Sequence, residues 1–149
     1  MTGARTIIQE RRERGLSARP NAHEFAQEVL RKGVNNYAGH AATSGHVFFD
    51  RSVLDALGML DGVTPFSESV LNAWLSPYQY NSKVFLFPPW KAIYVNDAER
   101  DHTFAHVEAV HRGVQEWYRR CHYELLEVPR VSFSERCSYV LQALESGDA

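Results

Sequence analysis

The sequence predicts an α/β fold in which a parallel sheet carries helices on both faces, and three observations predict it. Short apolar runs at Gly45-His46-Val47-Phe48-Phe49-Asp50-Arg51, Lys83-Val84-Phe85-Leu86-Phe87 and Tyr123-Glu124-Leu125-Leu126-Glu127-Val128-Pro129 have the lengths of strands, and the first two read as buried on both faces. Segments with apolar residues at helical spacing separate these runs, so strands and helices alternate along the chain. No internal repeat and no Gly-, Pro- or Ser-rich linker interrupts residues 1–149, which read as one domain.

Taken in order, Thr6 to Gly15 predicts a short surface helix with a narrow apolar face, ended by a glycine cap. Asn21 caps a second helix with Glu24 at its third position, and Phe25, Ala26, Val29 and Leu30 form its apolar side as it runs on towards His40. After the first strand, Ser52 to Leu60 places Val53, Leu57 and Leu60 on one helical face and ends before Asp61-Gly62. Thr64-Pro65 reads as the start of a fourth helix carrying Val70, Leu71, Trp74 and Leu75. The second strand stops at Pro88-Pro89-Trp90, and a polar stretch from Lys91 to Arg100 leads into a long amphipathic helix from Asp101 to about Tyr118. Beyond the third strand, Ser132-Phe133-Ser134-Glu135 is a capping box for a last helix with Cys137, Val140, Leu141 and Leu144 expected inward. Three strands leave a parallel sheet short of covered faces and protected edges, which points to a missing element at the front.

Composition excludes several classes. With 16 Lys+Arg against 18 Asp+Glu the formal charge is −2, which argues against a nucleic-acid binder, and no basic helix or aromatic–basic interleaving is present. No run approaches the roughly 18 apolar residues of a membrane span, and no secretory leader precedes Thr6, so a cytoplasmic protein with two reduced cysteines is expected. His102, His106 and His111 share the long helix, the first two one turn apart, but without a further ligand at suitable spacing they read as surface histidines rather than a metal site.

Phe48-Phe49-Asp50-Arg51 followed by Asp55, and Phe85-Leu86-Phe87-Pro88-Pro89-Trp90 followed by Ile93-Tyr94-Val95-Asn96-Asp97-Ala98-Glu99-Arg100, resemble the AAA-like P-loop ATPases that include the nicotinamide-riboside-kinase-type domain. The similarity extends to Arg5-Thr6-Ile7-Ile8-Gln9-Glu10 and to Tyr123 through Arg136, so it covers essentially the whole chain. It implies a P-loop NTPase-like parallel sheet, with ATP and Mg2+ as cofactors and a small, nucleoside-like molecule as substrate. These 149 residues hold no GxxxxGK[ST], and Lys32, Lys83 and Lys91 have no glycine frame before them. The expectation is an incomplete domain lacking its first strand and Walker A loop, about 35 residues by the usual size of a strand–loop–helix–strand unit. Such a form would bind ATP weakly or not at all. The slot left by the first strand, lined by Val47, Phe49, Val84 and Leu86, would then invite self-association, making a non-catalytic interaction module the alternative function.

By this resemblance Asp50 is the magnesium organiser or general base and Arg51 a phosphate ligand. Read from the residues alone, Asp50 caps the following helix and Arg51 is its solvated first turn. Asp55, four positions after Arg51, is placed to hold that arginine by an ion pair at the edge of the substrate site. Arg100 is the expected transition-state arginine, with Tyr94 beside it in a lid segment. Asp97, Glu99 and Asp101 otherwise read as acidic residues at a helix start. By the resemblance Arg5 faces the acceptor or its phosphate, whereas its position four residues from Met1 reads more strongly as disorder. Arg130, just beyond the third strand, is expected to stack on the adenine base; a plain surface arginine fits Arg130 equally.

Overall fold

The computed structural model describes residues 3–15, 21–91 and 103–146, and the chain divides into two compact units, 1–79 and 80–149. The first unit is helical: α1 (Gly3–Glu13), α2 (Ala22–His40), α3 (Val53–Val63) and α4 (Glu68–Leu75). The second follows the order β1 (Lys83–Leu86), α5 (Phe104–Arg120), β2 (Glu124–Glu127) and α6 (Phe133–Ser146). The fold is therefore α/β, with a two-stranded parallel sheet among the described residues.

In the first unit, α1 ends where Gly15 takes φ +68° and returns its N–H to the Arg12 carbonyl at 3.0 Å, the left-handed stop expected of glycine. The Asn21 side chain accepts from the Glu24 N–H at 2.9 Å and opens α2. Ile7 of α1, Val29 of α2 and Ala56 of α3 pack into one core with Phe25 and Leu30 at its border. Two ion pairs fasten α1 to α2 at the surface, Arg11 with Glu28 and Lys32 with Glu10 at 2.9 Å. α2 passes close to the start of α3 at Gly33, where a Cβ would stand 3.4 Å from Val53 Cα and N, at van der Waals contact. Beyond α4, the Tyr37 hydroxyl donates to the Gln79 carbonyl at 3.1 Å and its ring meets Tyr78 edge-on at 5.5 Å.

In the second unit, β1 and β2 pair in the register Val84↔Leu125 and Phe85↔Leu126, and α5 is the crossover that parallel pairing requires. The helix packs against β2, and its C-terminus closes with His122 at φ +70°. His122 N–H bonds the Arg119 carbonyl, Tyr123 N–H bonds the Tyr118 carbonyl at 3.1 Å, and the two tyrosine rings meet at 6.0 Å. This is a Schellman stop with histidine where glycine is usual. Cys121, the C-cap, is buried, whereas Cys137 on α6 is exposed; both thiols are free.

Four expectations need correction. Residues 46–49 are not a strand: the segment has no ladder partner, and Phe48 is 63% exposed. Apolar composition favours a strand only where a neighbour supplies the hydrogen bonds, and none is present for this run among the described residues. Thr64 closes α3 by donating its N–H to the Leu60 carbonyl at 2.9 Å, so α3 runs through Asp61-Gly62 and α4 starts only after Ser67, its cap. On α6 no residue is buried, and Cys137 and Leu141 are exposed rather than inward, as is Phe133 at 76%.

Candidate functional site

Ser52, Arg51 and Asp55 form a tight arrangement at the start of α3. The Ser52 hydroxyl accepts from the Leu54 N–H at 3.1 Å, and Asp55 Oδ2 accepts from the Ser52 N–H at 2.8 Å. This reciprocal capping box satisfies the free donors of the first turn. The spacing Ser-x-x-Asp is a capping signal in the sequence itself, and it moves the cap from Asp50, where the sequence reading puts it, to Ser52. With Ser52 in that role, Asp50 is left exposed, without a part in starting the helix.

The other Asp55 oxygen accepts from Arg51 Nη1 at 3.3 Å, the ion pair expected from the spacing. The two partners are unequal: the Asp55 side chain is 6% exposed and that of Arg51 is 54% exposed. Asp55 thus has both oxygens occupied within its own chain. Arg51 has φ +76°, a left-handed conformation that costs an ordinary side chain about 1–2 kcal/mol. The backbone turns through this residue from the extended segment into α3. Ahead of it, Phe49 packs edge-on against His40 at 5.8 Å, and His40 Nδ1 is 2.9 Å from the Asn36 carbonyl. Both contacts anchor the approach to Asp50-Arg51 on the end of α2.

In the second unit, Arg130 is an exposed residue whose fork is engaged. Its Nε and Nη2 both donate to the Pro89 carbonyl, at 3.2 and 3.1 Å, joining the chain beyond β2 to the chain beyond β1. His111 of α5 lies within the electrostatic reach of this corner. Its proton affinity is pushed below the ordinary value of 6.5, first by burial and then by Arg130 and Arg112, with Glu127 acting in the opposite sense. Sequence reasoning treats His111 as a surface histidine, since nothing local links it to Glu127 at the end of β2 or to Arg130 beyond it.

Tyr94 and Arg100, with Asp97, Glu99, Asp101 and His102, lie outside the described residues. Arg5 falls in α1, and its side chain too is outside what is described. The structure thus brings Arg51 and Asp55 together with Asp50 adjacent in sequence, and it places Arg130 in the other unit. Among the described residues no group of three His, Cys, Asp or Glu side chains is placed to hold a metal ion. Nor is any helix of the described residues long and apolar enough to cross a membrane.

The family model described as AAA domain matches residues 3–136 of the chain. No curated protein and no solved structure matches it.

Proposed function

The chain belongs to the AAA domain family, and from that membership we propose a nucleotide-binding, P-loop NTPase-like domain of the small-molecule kinase type, acting on a nucleoside-like acceptor. The observation that carries the reading is the presentation of Arg51. A buried carboxylate holds one edge of its guanidinium while more than half of the side chain faces solvent. A planar fork fixed in this way suits the oxygens of a phosphoryl group and the charge that develops on them during transfer. Asp50, exposed and next in sequence, supplies a carboxylate for an acceptor hydroxyl or for a hydrated cation.

AAA domains generally use ATP and Mg2+, and the ion, when bound, neutralises charge on the transferring phosphate. The residues fit this pair only in part. Asp50 and Arg51 suit the phosphate edge of a nucleotide, since Mg2+ is commonly held by one or two carboxylates with the remaining positions filled by phosphate and water. The GxxxxGK[ST] cradle is not among these 149 residues. Arg100 and Tyr94 belong to the proposal as lid residues and Arg5 as an acceptor contact, all three on the resemblance alone. Arg130 enters it only with its fork turned to Pro89 rather than free for a base.

Titration calorimetry of the full chain with ATP, with and without Mg2+, tests the reading. Weak, magnesium-dependent binding that Arg51→Ala and Asp50→Ala both remove is the expected result. Low-micromolar binding that persists in Asp50→Ala and Arg100→Ala overturns the site.

A further inference from the structure

We propose that the outer edge of β1 is a self-pairing surface: two copies of the chain join antiparallel along residues 83–87, about a two-fold axis at Phe85, and merge their parallel pairs into one sheet. The proposal concerns the second unit alone and does not depend on the nucleotide reading.

The bonds of the ladder decide which backbone groups are open. The Ser82 carbonyl accepts from Glu124 N–H at 2.9 Å, and the Leu86 carbonyl from Val128 N–H at 2.8 Å. With Val84 opposite Leu125, the peptide groups of Ser82, Val84 and Leu86 face β2, and by alternation those of Lys83, Phe85 and Phe87 face away. Among the described residues the sheet has no third strand to meet them. Lys83 N–H is taken by Asn81 Oδ1 at 3.0 Å, so the edge consists of the Lys83 carbonyl and both groups of Phe85 and Phe87. Phe85 is half-buried and Phe87 is 58% exposed.

Edges are ordinarily blunted by charge, proline or a bulge. The outer edge of β2 meets this rule, since exposed glutamates stand at both ends of Glu124-Leu125-Leu126-Glu127. Along β1 the charge is Lys83 alone, and the first proline is Pro88, one residue past Phe87.

The sequence of β1 is complementary to itself. In an antiparallel pair centred on Phe85, the two Phe85 residues exchange their N–H and C=O groups, and each Phe87 N–H reaches the Lys83 carbonyl of the other copy. Side chains then meet as Phe85 with Phe85, Val84 with Leu86, and Lys83 with Phe87. An aromatic pair, an aliphatic pair and an ammonium beside a ring are all favourable across strands, and no like charges face one another. Neighbouring registers are poorer. A centre at Leu86 sets Lys83 against Pro89, which has no N–H and whose carbonyl already serves Arg130. A centre at Val84 needs the Lys83 N–H that Asn81 holds. The two-fold pairing also closes, because it consumes the β1 edge of both copies, whereas β1 on β2 would extend without limit.

Sedimentation equilibrium of the full chain over roughly 10 μM to 1 mM tests the pairing. The expected mass rises from that of one chain to that of two and stops there. Phe87→Lys sets like charges opposite each other at both ends of the pairing and should weaken association by about tenfold. Adding Lys83→Glu to that variant makes the same pairs opposite in sign and should restore it. Neither position bonds its backbone to β2, so the ladder is left intact. A single-chain mass across the whole range overturns the proposal, as does growth beyond two chains; both are read on the unmodified protein. Association indifferent to Phe87→Lys, or not recovered by the added Lys83→Glu, overturns the antiparallel register at Phe85.

Discussion

Arg51 combines a structural cost with a chemical advantage, and the two separate by substitution. The left-handed backbone costs about 1–2 kcal/mol with a side chain and almost nothing with glycine. The exposed ion pair with Asp55 returns only about 0.3–0.5 kcal/mol. Relief of the backbone is the larger quantity, so Arg51→Gly should raise the stability of the first unit by about 0.5–1 kcal/mol in urea unfolding, with the gain in glycine's unfolded-state entropy offsetting part of the relief. If Arg51 also serves phosphate, the same variant loses nucleotide binding while gaining stability. If Arg51 has no part in binding, the variant gains stability with nucleotide binding unchanged. The neighbouring ion pair is legible from the four-residue spacing on a helix. The positive φ is not, because it arises where the extended segment meets α3 and no residue type at 51 announces it.

At the scale of elements, the sequence is most legible where the determinants are local. Asn21 with Glu24, Ser132 with Glu135 and Gly15 each mark a helix end through bonds spanning three or four residues, and each is found in place. It is least legible where an element needs a distant partner. Val84 pairs with Leu125 across some forty residues and is a strand; Val47–Phe49 has equally apolar character but joins no ladder among the described residues, and is not. The start of α4 fails for another reason: Thr64-Pro65 has the chemistry of a helix start, but the Thr64 N–H is already spent on closing α3. Gly33 gives a prediction at this scale. Ala at a helix interior is favoured over Gly by about 0.5–1 kcal/mol, and the added methyl would sit 3.4 Å from Val53, an ordinary contact. Gly33→Ala should therefore stabilise the α2–α3 pair by up to that amount in thermal unfolding, whereas Gly33→Leu should push the helices apart and lower the midpoint.

Across the whole molecule, the distribution of burial limits what kind of site the chain can offer. Among the described residues the buried set is apolar apart from Cys121 and Tyr118, and no charged residue is fully enclosed. Asp50 and Arg51 are exposed in the first unit, and Arg130 is exposed in the second, its fork bonded to the Pro89 carbonyl. The fold class is legible through the alternation of apolar runs, while the extent of the sheet depends on pairings that composition does not encode. The placement of the two thiols has a practical consequence. Cys137 stands on the open side of α6, and Cys121 is 4% exposed at the end of α5, within the same unit. A buried thiol reacts only when its surroundings open. A chromogenic disulfide reagent should consume one equivalent of thiol promptly and the second at the rate at which the second unit opens. The chain therefore carries its own clock for the breathing of α5, with Cys137 as the internal standard for reagent and Cys121 as the hand that moves.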